Sequence, residues 1–174
     1  MNNTKINLDK LPSLFSDYQE ETEKALSKIR EKLITQINPI IKSLFKKHPR
    51  VDKISWDQYT PYFNDGSVCE FGYYGLNLHI SEDMYANDDV KTDKDKAYYY
   101  IRDGYIPQDS IKYCIEHEFF KPELLQEARA IEEDFNNLNE IFQIHEKALK
   151  DIFGDHVTVA ITSNMIKILP CDHE

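Results

Sequence analysis

Apolar side chains recur every three or four residues along two long segments, the spacing that places them on one face of an α-helix. The first segment covers residues 11–48, and Pro39 within it predicts a kink or a break because proline removes a backbone hydrogen bond of the helix. The second covers residues 122–153 with no break in the spacing, and Gly154 follows it as glycine commonly follows a helix. The sequence therefore predicts two long helices.

Each predicted helix is followed by a pair of segments with the character of β-strands. Residues 51–63 and 67–80 are rich in β-forming side chains, and Asn64-Asp65-Gly66 between them predicts a tight hairpin turn. Residues 156–162 alternate between apolar and polar side chains, and residues 165–169 predict their partner strand. We therefore expect an α+β fold in which an antiparallel sheet, built from two β-hairpins, has two long helices packed on one face.

The number of domains follows from the length of the chain and from one unusual segment. A chain of 174 residues is the size of one domain. Residues 81–110 begin as a charged segment poor in aliphatic side chains and return to aromatic ones at Tyr98-Tyr99-Tyr100. We interpret residues 1–174 as a single domain with a tyrosine-containing excursion at about 81–110.

The net charge limits the kinds of partner. Lys and Arg number 21 against 31 Asp and Glu, a formal net charge of −10, so a broad surface for nucleic-acid phosphates is not expected. Residues 1–50 carry ten basic and six acidic side chains, whereas residues 51–174 carry eleven and twenty-five. This asymmetry indicates either a partner recognised by charge or a molecule that docks on itself. Two solvated faces with no partner remain the simpler interpretation.

Signals for secretion, membrane insertion and disulfide bonds are weak in this sequence. The segment MNNTKINLDK lacks the apolar stretch of a signal peptide, and no apolar run is long enough to cross a bilayer. Three cysteines without paired spacing do not indicate a disulfide framework. We expect a cytoplasmic protein with no membrane partner.

One stretch of the sequence carries a dense motif. Residues 56–71, WDQYTPYFNDGSVCEF, resemble a motif W-x-Q-Y-T-P-Y-F-N-D-G-x-x-C-x-F of small proteins from tailed phages and their bacterial hosts. The junction Phe153-Gly154-Asp155-His156-Val157 and the acidic tail at 171–174 resemble the same group more weakly. The resemblance implies a phage setting, hence the host cytoplasm, but no particular mechanism.

The motif and the tyrosines around it supply the candidate binding residues. Ten of the eleven tyrosines lie between Tyr59 and Tyr113, and tyrosine suits binding surfaces because it offers a large contact area with few rotatable bonds. In the alternative interpretation, Asn64 and Asp65 bond only to their own turn, Gln58 pairs across the strands and the tyrosines belong to the core. The candidate residues for contact with a ligand or partner are Trp56, Gln58, Tyr59, Tyr62, Asn64, Asp65, Glu70, Tyr99 and Arg102.

Patterns typical of catalysis or metal binding are largely missing from the sequence. It contains no phosphate-binding glycine loop and no nucleophile motif, and its histidines lack the spacing of metal ligands. We therefore predict no catalytic residue, no metal and no cofactor. A small hydrolase that uses Asp57 and Glu70 as an acid/base pair, with Arg102 nearby, is the enzymatic alternative.

These observations favour a non-enzymatic binding protein, related to phage proteins, that recognises a protein partner through a tyrosine-rich surface and an acidic helix. In one version it is an acidic inhibitor of a nucleic-acid-binding or defence protein. The alternative is a protein that binds or sequesters a nucleotide-like small molecule in a pocket at the 56–71 hairpin. The chain is expected to be a monomer or a homodimer. The acidic side chains that imitate phosphates in the inhibitor version are Glu123, Glu127, Glu132, Glu133, Asp134, Glu140 and Glu146.

A group of basic side chains marks the end of the first predicted helix. Cations at this position stabilise the negative end of the helix dipole. A site for an anion or a phosphate is the sharper alternative. The group consists of Lys42, Lys46, Lys47, His48 and Arg50.

Overall fold

The computed structural model describes residues 10–62, 66, 68–86, 105–107 and 110–171. Four α-helices and six strands lie in these ranges and confirm the α+β class. Two short 3-10 turns lie at Glu82–Met84 and Pro122–Leu124. In chain order the elements are α1 (Leu11–Lys47), β1 (Val51–Tyr59), β2 (Gly72–Tyr73), β3 (Asn77–Ile80), β4 (Tyr105–Pro107), α2 (Ile111–Glu116), α3 (Leu125–Ile144), α4 (Glu146–Phe153), β5 (Val157–Thr162) and β6 (Ile166–Pro170).

The strands form one antiparallel sheet in the order β4-β3-β1-β5-β6, with β2 also paired to β1. The first predicted hairpin is β1 with β2 and β3, and the second is β5 with β6. Strand β1 is central because β5 pairs with it over Lys53–Gln58. Strand β4 lies within the predicted excursion, so part of that segment returns to extend the sheet beyond β3.

The connection between β1 and β2 is longer than the tight turn that the sequence predicts. The last pair of the ladder joins Tyr59 to Gly72, so residues 60–71 form the connection. Asn64 and Asp65 lie outside the described residues, whereas Gly66 has a φ of 90°, as a turn glycine does. Directly after the last ladder pair, the backbone N–H of Thr60 donates to Asp155 instead of to a strand.

The core lies between one face of the sheet and the helices. Ile54, Trp56 and Leu78 are fully buried on that face, and Phe135 of α3 belongs to the same core cluster. The alternation of β1 explains this placement, because successive side chains of a strand point to opposite faces of the sheet. The predicted arrangement of two long helical segments on one face is confirmed.

The second long helix is not continuous, contrary to the prediction of an unbroken segment over residues 122–153. Helix α3 ends at Ile144 and α4 begins at Glu146, with His145 between them at φ −113° and ψ 28°. The backbone N–H of His145 lies near the carbonyls of both Ile141 and Phe142, at 3.1 and 3.2 Å. The three- and four-residue spacing of this segment includes His145, yet its side chain is exposed. Pro39, by contrast, lies inside α1 without ending it.

The basic group at the end of α1 faces acidic side chains of α3. Asp134 accepts hydrogen bonds from Lys47 and from the buried His48, and Glu127 pairs with Arg50. The bond from Lys47 is the largest influence that lowers the pKa of the Asp134 carboxyl. Part of the charge asymmetry of the sequence is therefore satisfied within the domain. No helix in the described ranges has the length and apolar character needed to cross a bilayer.

Candidate functional site

The 56–71 motif and the Phe153–Val157 junction, far apart in sequence, meet in the structure. The indole N–H of Trp56 donates to Gln58 Oε1 at 2.9 Å. Gln58 Nε2 donates in turn to the carbonyl oxygens of Leu149, at 3.2 Å, and Gly154, at 2.5 Å. Trp56 and Gln58 are both 0% exposed, so their role is to join β1 to the end of α4.

Aromatic packing around Trp56 adds to this connection between β1 and α4. Its ring lies 5.0 Å from that of Phe142 and 5.4 Å from that of Phe153, the latter edge-on. Tyr73 of β2 lies 6.4 Å away. Tilted and edge-on arrangements of this kind are favourable for aromatic rings. One tryptophan therefore connects both hairpin strands to α3 and α4.

A second connection lies just beyond the end of β1. The backbone N–H and the hydroxyl of Thr60 donate to the two carboxylate oxygens of Asp155, at 2.8 and 2.7 Å. Lys150 Nζ lies 2.7 Å from Asp155 Oδ2. Burial alone would raise the pKa of the Asp155 carboxyl, but the hydrogen bonds from Lys150 and Thr60 outweigh it and lower the pKa to about 2. The start of the 60–71 loop is thus fixed by an ionised carboxylate.

The depressed pKa of Asp155 makes the stability of the protein depend on pH. The charged form is favoured in the folded state, so its contribution is present above the unfolded-state pKa of 3.8 and is lost as the pH falls towards about 2. We expect Asp155→Asn to lower the free energy of unfolding by about 1–2 kcal/mol near pH 7, with allowance for solvent screening. Urea unfolding at several pH values measures this difference.

Wild type and Asp155→Asn should converge in stability as the pH falls through the same window. A difference that stays constant down to the lowest pH would show that the carboxylate charge is not what fixes the loop. Asp151→Asn is the matched control, because Asp151 is exposed and only its backbone carbonyl is seen to accept a bond, from Arg30.

The contacts of Trp56, Gln58 and Thr60 with residues 142–155 are called here the base of the loop. Exposed or half-buried side chains on this loop and beside it are called here the loop surface: Tyr59, Tyr62, Val68, Tyr74 and His156. The rings of Tyr59 and Tyr74 stack at 4.0 Å with planes 10° apart. Tyr62 stacks on His156 at 4.7 Å. Tyr62 and Val68 are nevertheless 74% and 81% exposed. Partial burial, together with the nearby Tyr59 hydroxyl, raises the pKa of Tyr74, so it stays neutral and able to donate a hydrogen bond.

A half-open cleft adjoins the loop surface at Tyr74. Its volume is about 480 Å³, within the range of small-molecule sites. Asn139 lies in its wall and holds the β2–β3 connection, because its Oδ1 accepts bonds from the Tyr73 hydroxyl at 2.7 Å and the Leu76 N–H at 3.1 Å. The lining residues are Tyr74, Gly75, Leu76, Asn77, Pro107, Asn139 and Gln143.

The candidate residues from the sequence fall into three groups. Trp56 and Gln58 are buried in the base, so neither has side-chain surface for a ligand, and Gln58 bonds to the end of α4 rather than across the strands. Tyr59 and Tyr62 belong to the loop surface, and Glu70 is exposed on the same loop. The remaining four lie outside the described residues: Asn64, Asp65, Tyr99 and Arg102.

The proposed acid/base pair is differently placed. Asp57 lies on the sheet face opposite Trp56, and its carboxylate accepts a hydrogen bond from the Thr158 hydroxyl on β5. Glu70 is exposed, and neither carboxylate lines the cleft. In the described part of the chain, then, the two residues are not seen to share a concave site.

Sequence reasoning missed three residues that matter here. Asp155 and Lys150 bind Thr60, and Asn139 binds the β2–β3 connection. The only available signal was the Phe153–Val157 junction, which contains Asp155 and carries the same resemblance as the motif. Nothing in the local sequence indicates that an asparagine in the middle of α3 anchors a strand connection.

Metal binding and relationships to known proteins add no further site. Across residues 10–62, 66, 68–86, 105–107 and 110–171, no three His, Cys, Asp or Glu side chains are grouped so that they could hold a metal ion. No family model, no curated protein and no solved structure matches this chain. The geometry of the loop surface and the cleft is therefore the basis for assigning a function.

Proposed function

We propose that this chain is a binding protein that recognises a protein partner through the loop surface. The observation that carries the proposal is the contrast between Tyr62, which is 74% exposed, and the fully buried residues Trp56 and Gln58 earlier in the same motif. Loops that carry function are commonly held by a rigid scaffold in this way. The motif thus combines a base that fixes the loop with the solvent-exposed side chain of Tyr62.

The physical properties of the loop surface suit association. Stacked tyrosines present a large apolar area with little side-chain entropy left to lose, and their hydroxyl groups can bond to a partner. Because Thr60 and Gln58 already fix the base of the loop, binding would cost less ordering than it would for a free loop. Exposed aromatic clusters on a polar surface are typical of such interaction sites.

The acidic helices favour a basic partner. Of the seven carboxylates considered above, Glu127 and Asp134 are engaged by Arg50 and by Lys47 with His48. Glu123, Glu133 and Glu140 are exposed on or beside α3 and remain available to a partner. An inhibitor of a nucleic-acid-binding or defence protein in a phage-infected host is the specific form of this proposal, and the phage setting depends on the motif resemblance alone.

The cleft beside Tyr74 supports a second candidate function, the binding of a small molecule. Its volume of about 480 Å³ is sufficient for a nucleotide-sized ligand, and amide groups of Asn77, Asn139 and Gln143 line it. It lies beside the 56–71 segment rather than within it. A hydrolase receives less support, because neither Asp57 nor Glu70 lines the cleft.

Capture of the partner tests the proposed function. We expect the immobilised protein to retain a specific protein from lysate of phage-infected bacteria, and the double variant Tyr62→Ser/Tyr74→Ser to lose it, because both exposed rings are removed from the loop surface. Ile40→Ser is the matched control, since it removes an apolar side chain that is 60% exposed but distant in sequence. Equal retention by the double variant would contradict the proposal.

The same preparation separates the two candidate functions. Native mass spectrometry of the purified protein would show an added small-molecule mass if the cleft is the functional site. Retention of the partner should also weaken as salt is raised if the carboxylates of α3 contribute to the contact.

A further inference from the structure

The cleft beside Tyr74 has no charged side chain in its lining. Of the seven residues that line it, six have no ionisable side chain. The seventh is Tyr74 itself, and burial, with smaller contributions from Tyr59 and Glu146, raises the pKa of its hydroxyl, which therefore stays neutral near pH 7. Because an ionised group is costly to remove from water without a charged partner, the lining favours an uncharged ligand.

Carboxylates lie close to this cleft. The carboxylate of Glu146 is near enough to the Tyr74 hydroxyl to act on it electrostatically. Glu140, which is exposed, is the next residue of α3 after Asn139 of the cleft wall. A phosphate group would meet this negative potential, and none of the lining residues is basic. The cleft is therefore unsuited to the phosphates of a nucleotide.

Asn139 offers the cleft a hydrogen-bond donor. Its Oδ1 accepts bonds from the Tyr73 hydroxyl and from the backbone N–H of Leu76. A backbone N–H can only donate, so the atom that faces it must be the amide oxygen, and the orientation of the amide is fixed. In the described part of the chain, Nδ2 is not seen to donate to another group. Asn139 can therefore present its NH₂ group to a ligand while its oxygen holds the strand connection.

Gln143 places a second amide beside the first. It lies four residues after Asn139 in α3, so the two side chains are neighbours on one face of the helix. Gln143 is exposed, and its amide can both donate and accept. A donor from Asn139 beside an acceptor from Gln143 matches a ligand edge that carries a C=O next to an N–H. The lactam edge of a nucleobase such as uracil has these two groups side by side.

Apolar side chains complete the cleft. The ring of Tyr74 is held by its stacking on Tyr59, with ring centroids 4.0 Å apart, and Leu76 and Pro107 also belong to the lining. Proteins that bind unpaired nucleobases combine hydrogen bonds to the edge of the base with packing against its planar faces. The volume of about 480 Å³ is sufficient for a base with its sugar.

We propose that the cleft binds an uncharged planar ring with adjacent C=O and N–H groups, as in the lactam edge of a nucleobase, and that it excludes phosphate. The C=O of the ligand accepts a bond from Asn139 Nδ2, and its N–H donates to Gln143 Oε1. This inference rests on the second candidate function, the binding of a small molecule, and narrows the ligand from a nucleotide to a nucleoside or a free base.

NMR titration of the full chain with uridine tests the ligand class. We expect uridine to shift the side-chain amide signals of Asn139 and Gln143, with a dissociation constant of about 1 mM for a ligand of this size. Uridine methylated on the N–H of its lactam should bind about tenfold more weakly, because the bond to Gln143 is lost. Uridine monophosphate should bind no more tightly than uridine. Tighter binding of the monophosphate, or equal binding of the methylated form, would contradict the proposed ligand class.

Variants of the two amides test the location of the site. Asn139→Asp keeps an oxygen that accepts from Tyr73 and Leu76 but replaces the donor with a carboxylate, so we expect a folded protein that binds uridine more than about tenfold more weakly. Gln143→Ala should weaken binding by about tenfold. Gln126→Ala is the matched control, because it removes an exposed glutamine of the same helix outside the cleft. Equal uridine binding by Gln143→Ala and Gln126→Ala would overturn the assignment.

Failure of this inference can be distinguished from failure of the function on which it rests. The absence of any shift with uridine would overturn the inference. If native mass spectrometry nevertheless shows an added small-molecule mass, the second candidate function stands with a ligand of different chemistry. Capture of a protein partner through the loop surface is a separate measurement and does not depend on either result.

Discussion

Replacement of Trp56 with alanine is expected to lower the free energy of unfolding by about 4 kcal/mol. The side chain is 0% exposed, and large aromatic-to-alanine changes in a core cost about 3–5 kcal/mol. Phe142 and Phe153 both pack on its ring, so they would border the cavity left by the truncation. A domain of this size is commonly stable by only about 5–15 kcal/mol, so the variant would be close to unfolding.

Urea unfolding followed by circular dichroism measures this effect. Fluorescence does not serve here, because Trp56 is the single tryptophan of the chain. Tyr62→Ala is the control from the same motif, and we expect it to change the free energy of unfolding by less than about 0.5 kcal/mol, as exposed positions do. Comparable losses for Trp56→Ala and Tyr62→Ala would contradict the division of the motif into a buried base and an exposed surface.

Gln58→Leu is expected to have the next largest effect, about 3 kcal/mol of destabilisation. The volume changes little, but the indole N–H of Trp56 loses its acceptor and the carbonyl of Gly154 loses a donor. A buried polar group left without a partner costs about 1–3 kcal/mol. The unfolding of this variant can be followed by the fluorescence of Trp56 itself.

A double-mutant cycle isolates the bond between these two side chains. Trp56→Phe removes the indole N–H, so it should make the loss of the Gln58 acceptor less damaging. We expect the double variant Trp56→Phe/Gln58→Leu to be about 1 kcal/mol more stable than the sum of the single changes implies. Strict additivity would mean that the Trp56–Gln58 hydrogen bond contributes nothing to the fold.

The periodicity of the sequence predicts much of this architecture because it reports which side of each element is buried. Ile54 and Trp56 alternate with polar neighbours and face the core, and the line from Ala128 to Phe142 in α3 is buried as its spacing indicates. The periodicity did not predict the break between α3 and α4 at His145. A single exposed residue between two helices does not alter the three- and four-residue spacing of the apolar positions around it. The sequence did not indicate strand β4, because the strand is only three residues long and lies at the end of a segment that begins highly charged.

The candidate site was predicted only in part, because its decisive contacts join distant segments. Gln58 and Thr60 bind the backbone of Gly154 and the carboxylate of Asp155, and no local pattern contains both sides of these bonds. The motif therefore looked like a ligand site, whereas its first half, in the structure, builds the base. Tyr62 and Tyr74 are exposed whereas Tyr85 is buried, so the tyrosine content alone does not separate surface from core.

The charged groups at the end of α1 were also predicted only in part. The basic group at 42–50 was a candidate anion site, but Lys47, His48 and Arg50 contact carboxylates of α3 and of the 3-10 turn at Glu82–Met84. Complementary charges at the end of α1 and on α3 thus stabilise the packing between the two helices. The exposed acidic side chains of α3 remain available to a partner.

We propose that Tyr62 and Tyr74 bind a partner, while contacts of Trp56, Gln58 and Asp155 hold the loop that presents Tyr62. The most direct test is the affinity of the captured partner for the Tyr62→Ser/Tyr74→Ser double variant, measured beside its urea unfolding curve. We expect native stability within about 0.5 kcal/mol and an affinity reduced at least about 30-fold, as loss of two aromatic contact residues implies. Unchanged affinity in a variant of native stability would contradict the account.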